Sequence, residues 1–533
     1  MKFKKTLLVF SLLLILACIL AACGKDAPAS TSENEVTTTV VTTAVPEEKI
    51  VINEDYVITL SENADDYVSK ICKSIKNAID DASGLSLKVR DDWLKPGSEA
   101  PVYEIVVGRS NRDGANAIAD ALKENEWCVT VSETKVYISG NTARALSDAA
   151  NYFIENYVKG KSEIALPTDT YHAETNKFLA ISFSDVEPIK VTPGPTYPRL
   201  YKLSSGTLLC GVDGHCYWSN DDGATWKGGT DYRREHIIKG EDGRKYTLSC
   251  ANTAFYELDD GTVLVAYRAT GYIAMDESLY CTRIIVSQSK DGGKTWKFHS
   301  LMCDYRNEIA SGVWEPHFGT IDGVLTCFYA NDSHTVLEPP YQHIEYLQWI
   351  NGEWTNRTIV ANGVKHESRD GMPVWQQLSN GKYVCIIEGW VPGGVTLSVQ
   401  ILWSDDGVNW SEPVIIYRAK NGSCGAPYVL ELPTGQLLVT FQTNENFEGD
   451  TPHSEPIMYM MLSDGTPVEY LTAENFSKPE NAFNIEPGEY GLWNCAYLSD
   501  KYLYIGTDTN DGDNKGVCIK RIALEELYKQ LEN

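Results

Sequence analysis

A strand–turn–strand pattern that occurs six times between residues 197 and 501 constrains the fold of this chain most strongly. The turn positions of the six copies are Gly206, Gly261, Gly323, Gly381, Gly435 and Lys501, which lie 54 to 66 residues apart. Asp-Gly and Asn-Gly turns tolerate the positive φ angles of tight hairpins. Regular repeats of short strands with loops of variable length are typical of a β-propeller. The sequence therefore predicts a mainly β fold with a six-bladed β-propeller, preceded by a small α+β domain.

The chain divides into four predicted regions: a lipoprotein signal peptide (1–22), a Thr-rich linker (23–49), a small α+β accessory domain (50–176) and the propeller (177–533). In the accessory domain, helical periodicity over 64–82 and a plausible N-cap at Thr142 mark two helices. Residues 178–183 are expected to supply the strand that closes the last blade.

The N-terminus carries export signals. Lys2, Lys4 and Lys5 precede an apolar stretch, and small residues then lead to Cys23. This pattern predicts a secretory signal rather than a membrane-spanning helix. Its Leu-Ala-Ala-Cys ending resembles a bacterial lipobox, which implies a lipid on Cys23 and a location on the extracellular face of the cell membrane; an ordinary signal peptide is the alternative.

Composition excludes one class of partner. The chain has 46 basic and 73 acidic side chains, a formal net charge of −27. Lys and Arg supply the attraction to nucleic acid, so no nucleic-acid partner is expected, and membrane contact is expected only through the lipid. Twelve cysteines follow Cys23 without zinc-ligand spacing, and no cofactor or metal is predicted. Cys210 and Cys216 are close enough in sequence to form a disulfide, which the sequence does not decide.

A second motif supports the propeller. Residues 219–226 and 289–296 both fit Ser-x-Asp-x-Gly-x-Thr-Trp, and residues 403–410 fit with the Ser and Thr positions changed. These segments resemble the Asp-boxes of the sialidase superfamily. In that superfamily the boxes are structural and distant from the active site, so Asp221, Asp291 and Asp405 are not catalytic candidates.

The repeat alignment yields candidate catalytic residues. Eight residues before the turn stand Pro198, Thr253, Glu315, Pro373, Pro427 and Trp493; seven after it stand Asp213, Arg268, Ala330, Glu388, Gln442 and Asp508. These two rows are expected to be cross-strand neighbours on one rim. Glu315 and Glu388 then belong to consecutive blades, and paired carboxyl groups flanking a bond are what glycoside hydrolysis requires. Alternatively, each glutamate pairs with a rim arginine such as Arg268 or Arg369.

A family resemblance refines these roles. Residues 313–316, 368–373 and 387–388 resemble the corresponding stretches of the exo-α-1,5-L-arabinanases, glycoside hydrolase family 93, retaining propeller enzymes that release arabinobiose from chain ends. The resemblance implies that Glu315 is the general acid/base and Glu388 the nucleophile, the pair being better defined than the order of roles. The substrate-binding candidates are Arg199, Arg268, Arg369, Asp213, Tyr428, Gln442 and Trp493.

Two other functions remain open. An exo-α-sialidase would recruit Arg199, Arg268 and Arg369 to clamp a carboxylate, with Asp213 as acid, but its Arg-Ile-Pro motif is replaced here by Pro198-Arg199-Leu200. A non-catalytic glycan-binding surface propeller is the third possibility. In each case the expected partner is an oligo- or polysaccharide, and the sequence does not specify the sugar.

Overall fold

The computed structural model describes residues 48–123, 125–175, 181–194, 196–308, 311–333 and 341–532. The predicted signal peptide, Cys23 and nearly all of the predicted linker lie outside these residues. Residues 49–533 belong to one compact unit. Within the described ranges, none of the helices combines the length and apolar character needed to cross a bilayer.

The first part of this unit is a mixed α/β layer. Its strands are β1 (Lys49–Val51), β2 (Val57–Leu60), β3 (Lys88–Asp91), β4 (Glu104–Val107), β5 (Glu126–Ser132), β6 (Lys135–Gly140), β7 (Ala165–Pro167) and β8 (Tyr171–Thr175). Six of them form a sheet in the order β3-β2-β4-β6-β5-β8, parallel from β3 to β6 and antiparallel thereafter, while β1 pairs with β7. The helices are α1 (Asp66–Ser83), α2 (Ala115–Ala121) and α3 (Ala143–Phe153), the last continuing into a π-turn over Ile154–Val158.

Side-chain caps fix the ends of the two longer helices. Asp65 accepts a hydrogen bond from the Val68 N–H at 2.8 Å, and Gly84 ends α1 with a φ of +76°. Thr142 accepts from the Ala145 N–H at 3.1 Å and caps α3, as its sequence position predicts. Such caps satisfy backbone N–H groups that a helix leaves without partners.

Six antiparallel sheets follow. Strand β9 (Ile189–Thr192) belongs to the last of them. Blade 1 contains β10 (Arg199–Lys202), β11 (Leu208–Val212), β12 (His215–Ser219) and β13 (Lys227–Asp231), followed by the hairpin β14 (Ile237–Lys239) and β15 (Lys245–Thr247). Blade 2 contains β16 (Ser249–Glu257), β17 (Val263–Tyr272), β18 (Tyr280–Ser289) and β19 (Lys297–Asn307). Blade 3 contains β20 (Val313–Ile321), β21 (Val324–Asn331), β22 (His343–Ile350) and β23 (Glu353–Ala361), followed by α4 (Gly363–His366).

The second half of the ring has the same order. Blade 4 contains β24 (Gly371–Gln377), β25 (Tyr383–Trp390), β26 (Leu397–Ser404) and β27 (Val414–Tyr417). In blade 5 the described strands are β28 (Cys424–Glu431), β29 (Leu437–Thr443) and β30 (Ile457–Leu462), followed by 3-10 turns at Val468–Tyr470 and Ala473–Asn475. Blade 6 contains β31 (Gly491–Leu498), β32 (Tyr502–Thr509) and β33 (Gly516–Ala523), with a 3-10 turn at Gly512–Asn514 and the final helix α5 (Leu524–Glu532). The predicted six-bladed, mainly β fold is confirmed.

The ring closes by pairing between its two ends. Strand β9 lies antiparallel to β33, with Thr192 opposite Val517, and completes blade 6. The prediction that residues 178–183 supply this strand is wrong. The described part of that segment, residues 181–183, is not a strand, and Phe183 is fully buried in the core shared by the last blades. The apolar side chains of Ile181 and Phe183 pack in this core rather than mark a paired strand.

The Ser–Asp–Trp turns lie at the end of the blades that is opposite to the predicted rim, and they stabilise that end. Asp221 accepts hydrogen bonds from Ser219 Oγ at 2.6 Å and the Thr225 N–H at 2.9 Å, and these lower its pKa. Ser219 pairs with Leu208 beside the hairpin turn, whereas Arg199 pairs with Gly211 at the far end of the same strands.

In blade 4 the structure corrects the alignment of this motif. Asp406, not Asp405, accepts from the Asn409 N–H at 2.7 Å and from Ser404 Oγ at 3.0 Å. Asp405 forms an ion pair with Lys382 instead. The segment has lost one residue between its Asp and its Gly, so counting back from Trp410 assigns the wrong acid.

Candidate active site

A backbone bulge near the start of the first strand defines the mouth of the propeller. In each blade one residue at this place has a positive φ: Tyr197, Asn252, Glu315, Met372, Ala426 and Trp493, with φ between +43° and +59°. In blades 2 to 6 the register between the first two strands shifts at this residue. Positive φ is uncommon for residues other than glycine, and a bulge redirects the side chain that it carries. Glu315 is the one carboxylic acid among the six.

This ring corrects the predicted row that contains Glu315. Pro198, Thr253, Pro373 and Pro427 are not its equivalents; each follows the bulge residue of its blade by one position. The cause is the turn length. Ile321 pairs with Val324 across a two-residue turn, whereas Leu203 bonds to Thr207 across a three-residue loop. Aligning the four Pro residues at 198, 316, 373 and 427 would have given the right register, because Pro lacks the N–H that a regular ladder uses.

The second predicted row is confirmed in register. Arg268, Ala330, Glu388, Gln442 and Asp508 pair with the residue that precedes each bulge, namely Ala251, Trp314, Gly371, Gly425 and Leu492. Asp213 directly follows the corresponding strand of blade 1. The extra loop residue lies before the turn glycine, so it displaces the first strand and leaves the second unaffected.

Glu315 lies buried at the mouth, 8% exposed. Its Oε2 accepts a hydrogen bond from the Met372 N–H of the next blade at 3.3 Å. Burial raises the pKa of Glu315 to about 7; Arg369 and Arg268 oppose this shift, and the charge of Glu388 adds to it. Near neutral pH this side chain therefore still holds a proton that it can donate.

Glu388 accepts hydrogen bonds at both of its carboxyl oxygens. The Arg369 guanidinium donates to Oε1 at 3.0 Å, and the Ala426 N–H of the next blade donates to Oε2 at 2.9 Å. Gln442, at the equivalent place in blade 5, accepts from the Trp493 N–H at 2.9 Å in the same way. The bond to the next blade is thus a feature of the frame, whereas the arginine bond belongs to Glu388 alone.

Two glycines make room for Glu388. A Cβ atom added at Gly425 would come within 2.5 Å of Glu388 Oε2, and one at Gly371 within 3.2 Å of Oε1. In the other blades this position carries Thr196, Ala251, Trp314 and Leu492. Glycine immediately before the bulge, found only in blades 4 and 5, is a sequence signal for this slot that the alignment did not use.

Arg369 and Arg268 supply the positive charge at this mouth. Burial disfavours the Arg369 cation, but Glu388 and Glu315 together raise its pKa above the ordinary value. The Arg268 guanidinium lies 5.0 Å from the centre of the Trp314 ring, and its Nε has no hydrogen-bond partner among the described residues. Arg369 therefore donates a hydrogen bond to Glu388 while its charge also acts on Glu315.

Arg199 and Tyr428 lie away from the mouth, in the channel below it. A cavity of about 200 Å³ on the propeller axis is lined by the first strands, including Arg199, His317 and Tyr428. Arg199 is 5% exposed, donates to the Pro198 and Asn494 carbonyls at 2.8 and 3.1 Å, and lies over the Tyr197 ring. These contacts join the first and last blades and hold Arg199 against the Tyr197 ring, at the wall of this cavity.

Two buried polar residues near Glu388 were not among the candidates. Asp370 is 1% exposed and accepts from Ser368 Oγ at 2.6 Å; burial raises its pKa to about 7. Gln342 is 1% exposed, and neither polar atom of its amide has a partner among the described residues. Both residues lie against the segment that carries Arg369. Asp370 lies inside the 368–373 motif, which gave a signal for it.

Two aspartates occupy the other side of the mouth. Burial raises the pKa of Asp508 to about 6, and the charge of Asp213 adds to the shift. Burial likewise raises the pKa of Asp213, whose Oδ2 accepts from Thr196 Oγ1. Over the described part of the chain, no cluster of His, Cys, Asp and Glu has the arrangement of a metal site. The described cysteines are all free thiols, Cys210 and Cys216 included.

Comparison with known proteins gives similarity at the level of structure. No family model and no curated protein sequence matches the chain. It is similar to a mutant α-L-arabinofuranosidase from Fusarium graminearum solved with an iminosugar inhibitor (19% identity, 65% of this chain, 99% of that chain, TM-score 0.48). It is also similar to an α-L-arabinanase from Penicillium chrysogenum solved with arabinobiose (20% identity, 63% and 95% coverage, TM-score 0.46) and to a protein of unknown function from Dyadobacter fermentans (13%, 63% and 96%, 0.47).

The Fusarium enzyme, also solved with arabinobiose, is described as a member of glycoside hydrolase family 93, the family that the sequence motifs resemble (20% identity, 65% and 99% coverage, TM-score 0.44). Identities this low bear on the fold alone. The fold itself follows from the strand order given above.

Proposed function

We propose that this protein is a glycoside hydrolase whose active site is the mouth of the propeller, with Glu315 and Glu388 as its catalytic pair. One observation carries the proposal: two carboxyl groups on consecutive blades, both subject to the charge of Arg369, stand in contrasting environments. Glycoside hydrolysis needs one protonated carboxyl group to leave a proton on the departing oxygen and one carboxylate to attack or to activate water.

The environments assign the roles. Glu315 is the general acid/base, because burial raises its pKa to about 7 and keeps it protonated near neutral pH. Glu388 is the nucleophile, because a cation and a backbone N–H donate to its two oxygens and hold it as an acceptor. Two carboxyl groups in different surroundings are a common basis for acid and nucleophile roles.

For the substrate we propose terminal α-1,5-linked arabinan, released as arabinobiose. The Trp-Glu-Pro and Ser-Arg-Asp-Gly-Met-Pro motifs support this choice, since both resemble family 93. The sialidase alternative is disfavoured because Arg199 faces the channel and bonds to two backbone carbonyls. We further propose that the enzyme works outside the cell membrane, anchored by a lipid on Cys23, as the N-terminal pattern predicts.

One observation favours a second candidate, glycan binding without cleavage. The bond from Glu388 to the next blade repeats the bond made by Gln442, so that contact alone does not require chemistry. The ion pair between Arg369 and Glu388 is the structural alternative that the sequence left open, so the buried acid Glu315 is the feature that favours hydrolysis.

Product release tests the proposal. The purified protein is incubated with linear α-1,5-arabinan and with sialyllactose beside Glu388→Gln, whose amide can keep the blade-to-blade bond as Gln442 does. We expect arabinobiose from the wild type and not from the variant. The control is Glu448→Gln, an exposed side chain in the loop after β29 on the same face, which should keep full activity.

Other results redirect or overturn the proposal. Free sialic acid as the product would establish the alternative chemistry. Arabinobiose released equally by Glu388→Gln would remove Glu388 from the mechanism. Binding of arabinan without any product would support the glycan-binding candidate.

A further inference from the structure

On one side of the mouth, the side chains next to the bulges form hydrogen bonds to the following blade. On the other side, they keep oxygen atoms without a partner among the described residues. In blades 4 and 5, Glu388 and Gln442 each accept a hydrogen bond from the bulge N–H of the following blade. The equivalent residues of blades 6 and 1 are Asp508 and Asp213, whose side chains are one methylene shorter. Neither Oδ1 atom has a hydrogen-bond partner among the described residues, although both atoms are buried.

These oxygens lack hydrogen bonds from the described protein. Asp508 is 2% exposed, and a buried polar atom without a partner loses the hydrogen bonds that water would give it. Groups of this kind at the mouth of a cleft are satisfied when a ligand brings donors to them. These oxygens are therefore free to accept hydrogen bonds from a ligand at the mouth.

An independent side chain points to the same place. Asn252, the bulge residue of blade 2 next to Asp213, is 6% exposed, and its Oδ1 also lacks a partner in the described chain. The side-chain contact of Asn252 is with Tyr197, the bulge residue of blade 1. Tyr197 in turn lies 5.8 Å from Trp493, ring centre to ring centre, and packs with Met372 and Ala426.

These contacts place the aspartates and the glutamates around one floor. Tyr197, Trp493, Met372 and Ala426 come from four blades and meet at the mouth. The charges of Glu315 and Glu388 both act on Tyr197, so the catalytic pair faces this floor from blades 3 and 4. Asp508 and Asp213 flank it from blades 6 and 1. The partly exposed Trp493 ring offers the flat apolar surface on which a sugar ring stacks.

We propose that Asp213 and Asp508 bind hydroxyl groups of an uncharged sugar ring held at the mouth beside the bond to be cleaved, so that the pair selects neutral sugars over acidic ones. The inference rests on the proposed function for the position of that bond. Carboxylates are hydrogen-bond acceptors and match the O–H donors of a sugar. Two acids in one buried pocket repel a ligand carboxylate or phosphate, since like charges in a low-dielectric site interact strongly.

Binding measurements test this assignment. The background is the Glu388→Gln protein, which should not cleave its ligand. Calorimetry measures its affinity for α-1,5-arabinotriose, xylobiose and sialyllactose. The same measurements are then made on proteins that carry Asp508→Asn or Asp213→Asn as a second substitution. We expect the neutral sugar that binds to lose affinity by roughly tenfold to a hundredfold in each variant, the range for a lost hydrogen bond to a charged group. Glu448→Gln is the charge-matched control and should change nothing.

A second readout separates recognition from folding. In the active protein, Asp508→Asn should raise KM much more than it lowers kcat, with a thermal midpoint close to that of the wild type. If Asp508→Asn does not fold, Asp213→Asn decides alone.

The outcomes keep the two proposals apart. Aspartate-dependent binding of a neutral sugar without any cleavage would leave this inference standing and overturn the hydrolase. Unchanged affinity in both variants, absence of binding for all three sugars, or tighter binding of sialyllactose than of the neutral sugars would overturn the inference itself.

Discussion

Blades 4 and 5 and blades 6 and 1 share one backbone bulge but complete it with different side chains. Glu388 and Gln442 reach the bulge N–H of the following blade, whereas Asp508 and Asp213 keep buried oxygens without partners among the described residues. The comparison teaches that the repeat fixes where these side chains stand, and that one methylene decides whether they reach the bulge N–H of the following blade.

A second contrast lies within the satisfied half. Glu388 and Gln442 make the same bond to the next blade, but only Glu388 has an arginine at 3.0 Å and a second buried acid on the preceding blade. A residue that differs in its contacts from the equivalent residues of the other blades is therefore a candidate for function. Fold alone does not specify the chemistry.

The largest expected effect is on catalysis by Glu315. Glu315→Gln keeps an acceptor for the Met372 N–H but has no proton to donate, so activity on arabinan should fall roughly 10²–10⁴-fold. In the wild type, kcat/KM should decrease as the pH rises through about 7, because the raised pKa marks the loss of the acidic proton. A pH–rate profile of both proteins measures this. An unchanged alkaline limb in the variant would exclude Glu315 as the group that titrates.

The same substitution should stabilise the protein above neutral pH. The folded state raises the pKa of Glu315 from 4.5 to about 7, so it binds the proton more tightly than the unfolded chain does. That stability is fully present below pH 4.5 and is lost as the pH rises to about 7. Glu315→Gln should therefore increase the free energy of unfolding at pH 8 by up to about 3 kcal/mol and leave it unchanged at pH 4. Urea titrations at the two pH values would show equal differences if burial of the charge were unimportant.

A graded pair of glycine substitutions probes the slot around Glu388. Gly425→Ala places a methyl group within 2.5 Å of Oε2, whereas Gly371→Ala places one at 3.2 Å from Oε1. Neither glycine has a positive φ, so the backbone accepts alanine at both. We expect kcat to fall roughly tenfold to a hundredfold for Gly425→Ala, and less for Gly371→Ala, since small displacements of catalytic groups are costly. Equal losses would show that crowding of Glu388 is not the cause.

The smallest effect concerns the frame itself. Gln442→Asp shortens the side chain to the length found in blades 6 and 1 and should lose the bond from the Trp493 N–H. We expect a loss of about 1 kcal/mol in the free energy of unfolding, whereas Gln442→Glu, which keeps the length, should lose less. Thermal unfolding of both variants measures the difference. Equal stability would mean that the bond does not support the bulge.

Sequence patterns predicted the second strands well and the first strands less well. The row containing Glu388, Gln442 and Asp508 was in register because the number of residues between the turn position and this row is the same in every blade. The row containing Glu315 was displaced by one residue in four blades, because a third turn residue lies before the turn glycine. Asp405 was misaligned because its motif has one residue fewer than the others. Differences of one residue in length leave composition and hydropathy nearly unchanged.

The sequence by itself determined the number of blades and their mainly β character, and it named two glutamates as candidates, because hairpin turns and carboxyl groups are properties of local residue order. Only the tertiary structure decided what those glutamates face. The bulge directs Glu315 towards the Met372 N–H of the next blade, 57 positions away in the chain, and Glu388 reaches the Ala426 N–H of the blade after its own. The effect of the Arg369 charge on both glutamates likewise depends on the folded ring, since electrostatic environment comes from neighbours in space rather than in sequence.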